Sequence, residues 1–276
     1  MAFPPIFTLP QTSLRCRYWP ASQPQAGVIL VHGLGAHSAR WEFLADYFQA
    51  RNLSCWGIEL QGFGDTPGPR GHIASFGQYY RDLLLLRDFI RHDFPQLKLF
   101  CLGESLGGLL AFRMGELQPA WVSGTVLISP AFASNMKFSL GDYLNVIFSL
   151  IFNPQRALNV PFTPAMCTRD EAYQKVMEEN PLELRTASVQ LLVQSLLEQI
   201  RAPWGLRRIT QPLLFLLAGR DFLVKPQVSI KIFRQLQLAD KQLIHFPEMR
   251  HALSIEQGRE AVFEDAYAWL QARIPA

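Results

Sequence analysis

Lys98-Leu99-Phe100-Cys101-Leu102 runs straight into Gly103-Glu104-Ser105-Leu106-Gly107-Gly108 and from there into a helical repeat. An apolar strand, then G-x-S-x-G, then a helix is the setting in which a serine becomes a nucleophile. The chain has to reverse within a few residues, so the serine at the apex takes a strained backbone conformation. Side chains at the flanking glycines would strike neighbouring backbone in so tight a turn. Ser105 then stands above the sheet at a helix N-terminus, where unpaired N–H groups and the helix dipole favour negative charge. The plainer alternative is an ordinary serine in a strand–helix loop.

A nucleophilic serine needs a base, an acid that orients the base, and an oxyanion hole. In this architecture the expected chain order is Ser, then Asp or Glu, then His. Of the six histidines, at 32, 37, 72, 92, 245 and 251, only His245 and His251 follow a suitable acid downstream of Ser105. His245 falls inside the alternation Gln242-Leu243-Ile244-His245-Phe246 and reads as a strand residue with a local hydrogen-bond partner. His251 lies beyond that strand, in Pro247-Glu248-Met249-Arg250-His251-Ala252-Leu253, and is the candidate base, because loops at strand ends carry functional side chains. The candidate acid is Asp221. It follows the apolar run Pro212–Ala218, as a residue just past a buried parallel strand. Its alternative is a simple turn or cap role. Asp240 sits at the wrong end of the last strand, and Glu248 reads as a solvated loop charge.

The oxyanion hole is expected from the backbone N–H of Leu106, which follows the serine, and that of Leu34. Leu34 lies in His32-Gly33-Leu34-Gly35, the loop after the strand Val28-Ile29-Leu30-Val31. Its glycines let backbone approach a bound carbonyl. His32 reads as a structural residue bonded within this loop.

With these residues in place the chain resembles the α/β-hydrolases of the monoacylglycerol lipase and lysophospholipase type, grouped with the serine aminopeptidases. His32-Gly33-Leu34-Gly35-Ala36-His37-Ser38-Ala39-Arg40-Trp41 is similar to that family's HG-x-G-x-HS-x-R-[YW] segment. Glu59 to His72 resembles its D-x-x-G-H-G-x-S-x-G-x-R-G-H stretch. The elbow and the Asp221 and His251 positions follow in order, so that the resemblance runs from about residue 14 to about residue 270. Glu59 stands where an Asp is usual, Phe63 where a His is usual, and Ala36 where a Glu is frequent. None of these is a triad position. The resemblance implies an α/β fold with a mostly parallel sheet and a helical cap, and a serine esterase acting on lipid-like esters.

The gross properties agree. A chain of 276 residues suits one α/β domain with an insertion. Its net charge of +3, with no basic run longer than Arg207-Arg208, argues against nucleic acid as a partner. The four cysteines, at 16, 55, 101 and 167, are scattered; with no C-x-x-C pair or Cys/His cluster there is no metal signature. The chemistry of a serine triad asks for no cofactor. Met1 to Phe7 lacks the basic start and apolar core of a signal peptide, which points to the cytoplasm. The sequence sets no oligomeric state.

Strands are expected near 14–19 (at the sheet edge), 27–32, 53–59, 97–102, 124–129, 212–218 and 242–246. Helices are expected near 38–51, 75–93, 105–117, 226–237 and 256–273. The alternation stops between about 132 and 208, too long an interval for a loop. The chain therefore divides into a hydrolase core, 1–133 and 209–276, and a cap inserted at 134–208. Within the cap, Met136 to Phe152 is rich in apolar and aromatic side chains, Phe138 among them. Leu140 to Phe152 is shorter than the roughly 20 residues a membrane span needs. It is expected to line an acyl pocket, to touch a lipid surface transiently, or simply to pack on the main domain. Ala187 to Leu197 reads as a second, core-facing cap helix.

The expected reaction is two-step acyl transfer through an acyl-enzyme, with a monoacyl lipid ester as substrate. Other acyl-transfer chemistry on the same residues, by a thioesterase, peptidase or acyltransferase, is the second reading. A catalytically silent binding protein is the third.

Overall fold

A computed structural model describes residues 6–135 and 140–274. Residues 1–5, on which the leader reading partly rests, and Met136 and Phe138 of the apolar cap segment lie outside them. The core is one eight-stranded sheet, built from β1 (Ile6–Thr8), β2 (Arg15–Trp19), β3 (Ala26–Val31), β4 (Leu53–Ile58), β5 (Lys98–Glu104), β6 (Thr125–Ile128), β9 (Leu213–Ala218) and β10 (Lys241–Phe246). Two short strands, β7 (Ala157–Asn159) and β8 (Thr186–Ser188), pair antiparallel with each other, outside that sheet. The sheet order is β1-β2-β4-β3-β5-β6-β9-β10. From β4 to β10 every pairing is parallel, and β2 runs antiparallel to both β4 and β1. Residues 14–19 were expected at the sheet edge. The edge belongs to β1, whose three residues, set between prolines at 5 and 10, carry too little pattern to be read as a strand.

Alternate residues of each central strand feed opposite faces, which is why these strands read as continuous apolar runs. Ile29, Val31, Leu99, Cys101, Phe215 and Leu217 join the layer of α2 (Phe76–Asp93), α3 (Leu106–Leu117) and α8 (Pro226–Gln235). Val28, Leu30, Phe100, Leu102, Leu214 and Leu216 join that of α1 (Glu42–Gln49) and α9 (Arg259–Gln271).

Expected helix 38–51 opens as a 3-10 turn, Ser38–Trp41, before α1 begins. Its start is held by Glu59, whose Oε1 accepts the Ser38 N–H at 2.9 Å and the Ser38 hydroxyl. α9 starts later than expected because Gly258 adopts a left-handed conformation, φ 79°, at its N-cap.

Between β6 and β9 lie α4 (Leu140–Phe152), β7, α5 (Pro164–Cys167), α6 (Glu171–Glu179), β8 and α7 (Val189–Arg201). The expected helix from Ala187 begins two residues later. Ser188 is extended and caps the helix by accepting the Leu191 N–H at 3.1 Å. The last turn of α4 leaves Phe148, Ile151 and Phe152 exposed, the two Phe rings 4.5 Å apart. These three side chains are not packed on the main domain, whereas Ser149 of the same turn is buried.

Candidate active site

Ser105 has φ 56° and ψ −116°, in the region that side chains avoid. The turn is held from both sides. The Ser105 N–H donates to the Ile128 carbonyl at 2.9 Å, and its carbonyl accepts from Leu109 and Ala131. The glycines are required: a Cβ on Gly107 would lie 2.0 Å from the Val31 carbonyl oxygen, and one on Gly103 would lie 2.3 Å from the Gly107 carbonyl oxygen. α3 thus sits directly on the end of β3.

Asp221 and His251 leave the ends of adjacent parallel strands, β9 and β10, and their loops are zipped together. The Gly219 N–H donates to the Phe246 carbonyl at 2.9 Å and the Arg220 N–H to the Met249 carbonyl at 3.0 Å. A Cβ on Gly219 would meet the Pro247 oxygen at 2.4 Å, so this approach requires glycine. The result is a 2.7 Å hydrogen bond between His251 Nδ1 and Asp221 Oδ2. The other Asp221 oxygen accepts the N–H groups of Leu223 and Val224 at 2.8 and 2.9 Å, fixing the carboxylate. Both side chains are buried. Burial by itself would push the His251 imidazole down; the charge and hydrogen bond of Asp221 outweigh it, and the net direction is upward.

The Leu34 loop lies against Ser105: a Cβ on Gly33 would stand 3.7 Å from Ser105 Oγ. Neither the Leu34 nor the Leu106 N–H meets an acceptor among the described residues. His32 is structural. Its Nδ1–H donates to the Gly33 carbonyl at 2.8 Å and its Nε2 accepts the Leu60 N–H at 3.1 Å. Burial lowers it to about 4, which keeps the ring neutral. Phe63, where a histidine was usual, packs edge-on against this ring, 5.9 Å between centroids.

His245 is exposed on β10, without the local hydrogen bond expected of it among the described residues. Asp240 pairs with Arg273, and exposed Glu248 with Arg220.

Sequence reasoning missed the residues that brace these loops. Glu183, between α6 and β8, chelates Arg40 through Nε and Nη2, and lies 3.6 Å from His37 Nε2. The Leu184 N–H donates to Gly35 at 2.8 Å. Burial is the chief reason the His37 ring sits at about 3, as a neutral group. Glu256 is fully buried and accepts the N–H groups of Arg250, Arg169 and Gln257. Glu104 accepts from Ser254. Arg40 is part of the quoted HS-x-R segment, but nothing in that spacing points to Glu183 as its partner. Nor did anything in the sequence signal Glu256 or Glu104.

An eight-stranded, mostly parallel sheet with a strained serine at the turn after β5, and an Asp–His pair after the last two strands, defines an α/β-hydrolase. The family model described as serine aminopeptidase, S33, matches residues 22–258, and the chain belongs to that family; it is a serine hydrolase. Among relatives, the chain is 28% identical to human monoglyceride lipase over 270 residues, 94% of this chain and 87% of the relative. It is 28% identical to a phospholipase of Bacillus subtilis over 255 residues, covering 91% and 97%. Among solved structures, a monoacylglycerol lipase of Paleococcus ferrophilus superposes with a TM-score of 0.84 at 26% identity, covering 94% of this chain and 99% of that one. A soluble variant of the Saccharomyces cerevisiae monoglyceride lipase, in complex with a substrate analog, superposes at 0.88 with 18% identity, covering 100% and 97%. These bear out the fold and family expected from the motifs.

Proposed function

We propose that this enzyme hydrolyses the ester bond of monoacyl lipids through Ser105, His251 and Asp221. The observation that carries the reading is the buried 2.7 Å bond from His251 Nδ1 to a carboxylate itself fixed by two N–H groups. Asp221 accepts from Nδ1, so Nε2 is the nitrogen left to take a proton. His251 removes the Ser105 proton as Oγ attacks the ester carbonyl. The Leu34 and Leu106 N–H groups receive the developing oxyanion, and the imidazolium is stabilised by Asp221. The proton then passes to the departing alcohol, and the acyl group stays on Ser105. Water, activated by His251, attacks the acyl-enzyme; the fatty acid leaves and the serine regains its proton.

The relatives named as monoglyceride lipases support the substrate class. Residues 134–208 form the cap in this reading, with α4 at its lipid-facing edge. Exposed Phe148, Ile151 and Phe152 suit transient contact with a lipid surface from which a monoacyl substrate is drawn. No helix among the described residues is long and apolar enough to cross a membrane.

The test is a substrate panel of monoacylglycerols, lysophospholipids, acyl-CoA thioesters and aminoacyl amides. The highest kcat/KM is expected on a monoacyl lipid ester. A preference for amides or thioesters overturns the substrate assignment.

A further inference from the structure

Hydrogen bonds hold the loop around His251 from three directions. Before it, the Arg250 N–H donates to Glu256 at 2.8 Å. Directly after it, the Ala252 N–H donates to the Cys167 carbonyl at 2.9 Å. Three residues on, Ser254 gives its N–H to Glu104 Oε1 at 3.1 Å and its hydroxyl to Glu104 Oε2 at 3.0 Å. Glu104 differs from the other two anchors. It is the last residue of β5, directly before Ser105 in the chain, and its side chain is buried. One carboxylate therefore joins the strand end that presents Ser105 to the loop that presents His251.

We infer that Glu104 is a positioning residue for the reaction proposed above: it holds the His251 loop in register with Ser105 and sets a second negative charge near the imidazolium. The inference rests on the Ser105–His251–Asp221 reading. A buried carboxylate costs stability unless its oxygens are bonded, and here both are satisfied by a single residue of the histidine loop. The charged groups bearing on His251 are Asp221 from the loop after β9, Glu104 from β5 and Arg40 from the turn after β3. Against the burial that lowers the imidazole, Asp221 contributes most, Glu104 adds in the same direction and Arg40 opposes both. Burial dominates at Glu104 and raises its carboxyl above the ordinary range, the Ser254 N–H, the His251 charge and Arg40 countering it only in part.

Glu104→Gln keeps the shape and an accepting oxygen but removes the charge; Glu104→Ala removes both. The measurement is kcat and KM for a short p-nitrophenyl ester between about pH 5 and pH 9, where an essential histidine titrates. Circular dichroism establishes folding, and fluorophosphonate labelling reports on Ser105 in the unaltered enzyme. Glu104→Ala is expected to lose about tenfold or more in kcat with KM little changed. Glu104→Gln is expected to recover part of that loss, and to move the acid limb of kcat/KM to lower pH by on the order of half a unit. An unmoved acid limb in folded Glu104→Gln overturns the inference, whether or not Glu104→Ala folds. Failure of the unaltered enzyme to label at Ser105 would instead remove the triad reading beneath it.

Discussion

Cys167 accepts the backbone N–H of Ala252 at 2.9 Å, so the segment inserted between β6 and β9 is bonded to the residue directly after His251. The same insertion supplies Glu183 to Arg40, Leu184 to Gly35, and the Thr168 hydroxyl and Arg169 N–H to Glu256. These contacts brace both the His251 loop and the Leu34 loop. Residues 167–169 and 183–184 therefore brace the proposed site, and the exposed end of α4 makes none of these contacts.

Ser105→Ala and His251→Ala are expected to lose nearly all hydrolysis of a p-nitrophenyl ester while remaining folded by circular dichroism. Losses of this kind in a comparable serine hydrolase are on the order of 10⁶ in turnover. Asp221→Asn is expected to lose less, about 10⁴, by favouring the wrong tautomer. Full activity in His251→Ala would sink the proposed base.

The acid limb of kcat/KM should lie above the ordinary imidazole range. As the proposed base, His251 must be neutral to accept a proton, and its pKa is raised in the fold, against the effect of burial, by Asp221. Activity therefore rises with pH through that raised value. The linkage to stability has the opposite sign. A raised pKa favours the protonated fold, so the contribution is complete below the unfolded pKa and is lost as pH rises through the folded one. Asp221→Asn leaves burial to dominate and should move the limb down; a limb that stays in place would contradict this account.

Much of this was legible in the sequence. Strand–turn–helix around Ser105 follows from glycine placement and apolar runs, and the Asp221 and His251 positions follow from strand ends. β1 was not legible because three residues on an edge carry no pattern. The Glu183–Arg40 and Glu104–Ser254 partnerships, 143 and 150 residues apart, were hidden for a different reason. A buried ion pair or hydrogen bond between distant segments leaves no local spacing to read.

Glu183→Ala should destabilise the protein severely. It leaves the Arg40 guanidinium buried without its carboxylate, and breaking one partner of such a pair costs about 3–5 kcal/mol. Urea denaturation checks this; an unchanged midpoint would show that Arg40 finds water instead.

Phe148→Ser, Ile151→Ser and Phe152→Ser together should leave thermal stability nearly unchanged, because all three side chains are exposed. Turnover of long-chain monoacylglycerol in vesicles should fall, while turnover of a soluble short ester should not. Equal effects on both substrates would remove α4 from the lipid-facing role proposed for it.

The backbone of Ser105 stores free energy at one residue. A non-glycine side chain in such a conformation costs on the order of 1–3 kcal/mol, and here it is imposed by Ile128, Leu109 and Ala131. Ser105→Gly should therefore raise the melting temperature of the protein in the same step that abolishes its proposed nucleophile. If so, the chain trades resistance to unfolding for a hydroxyl held ready before any substrate arrives, and selection for thermal robustness alone would keep the turn and discard the proposed nucleophile.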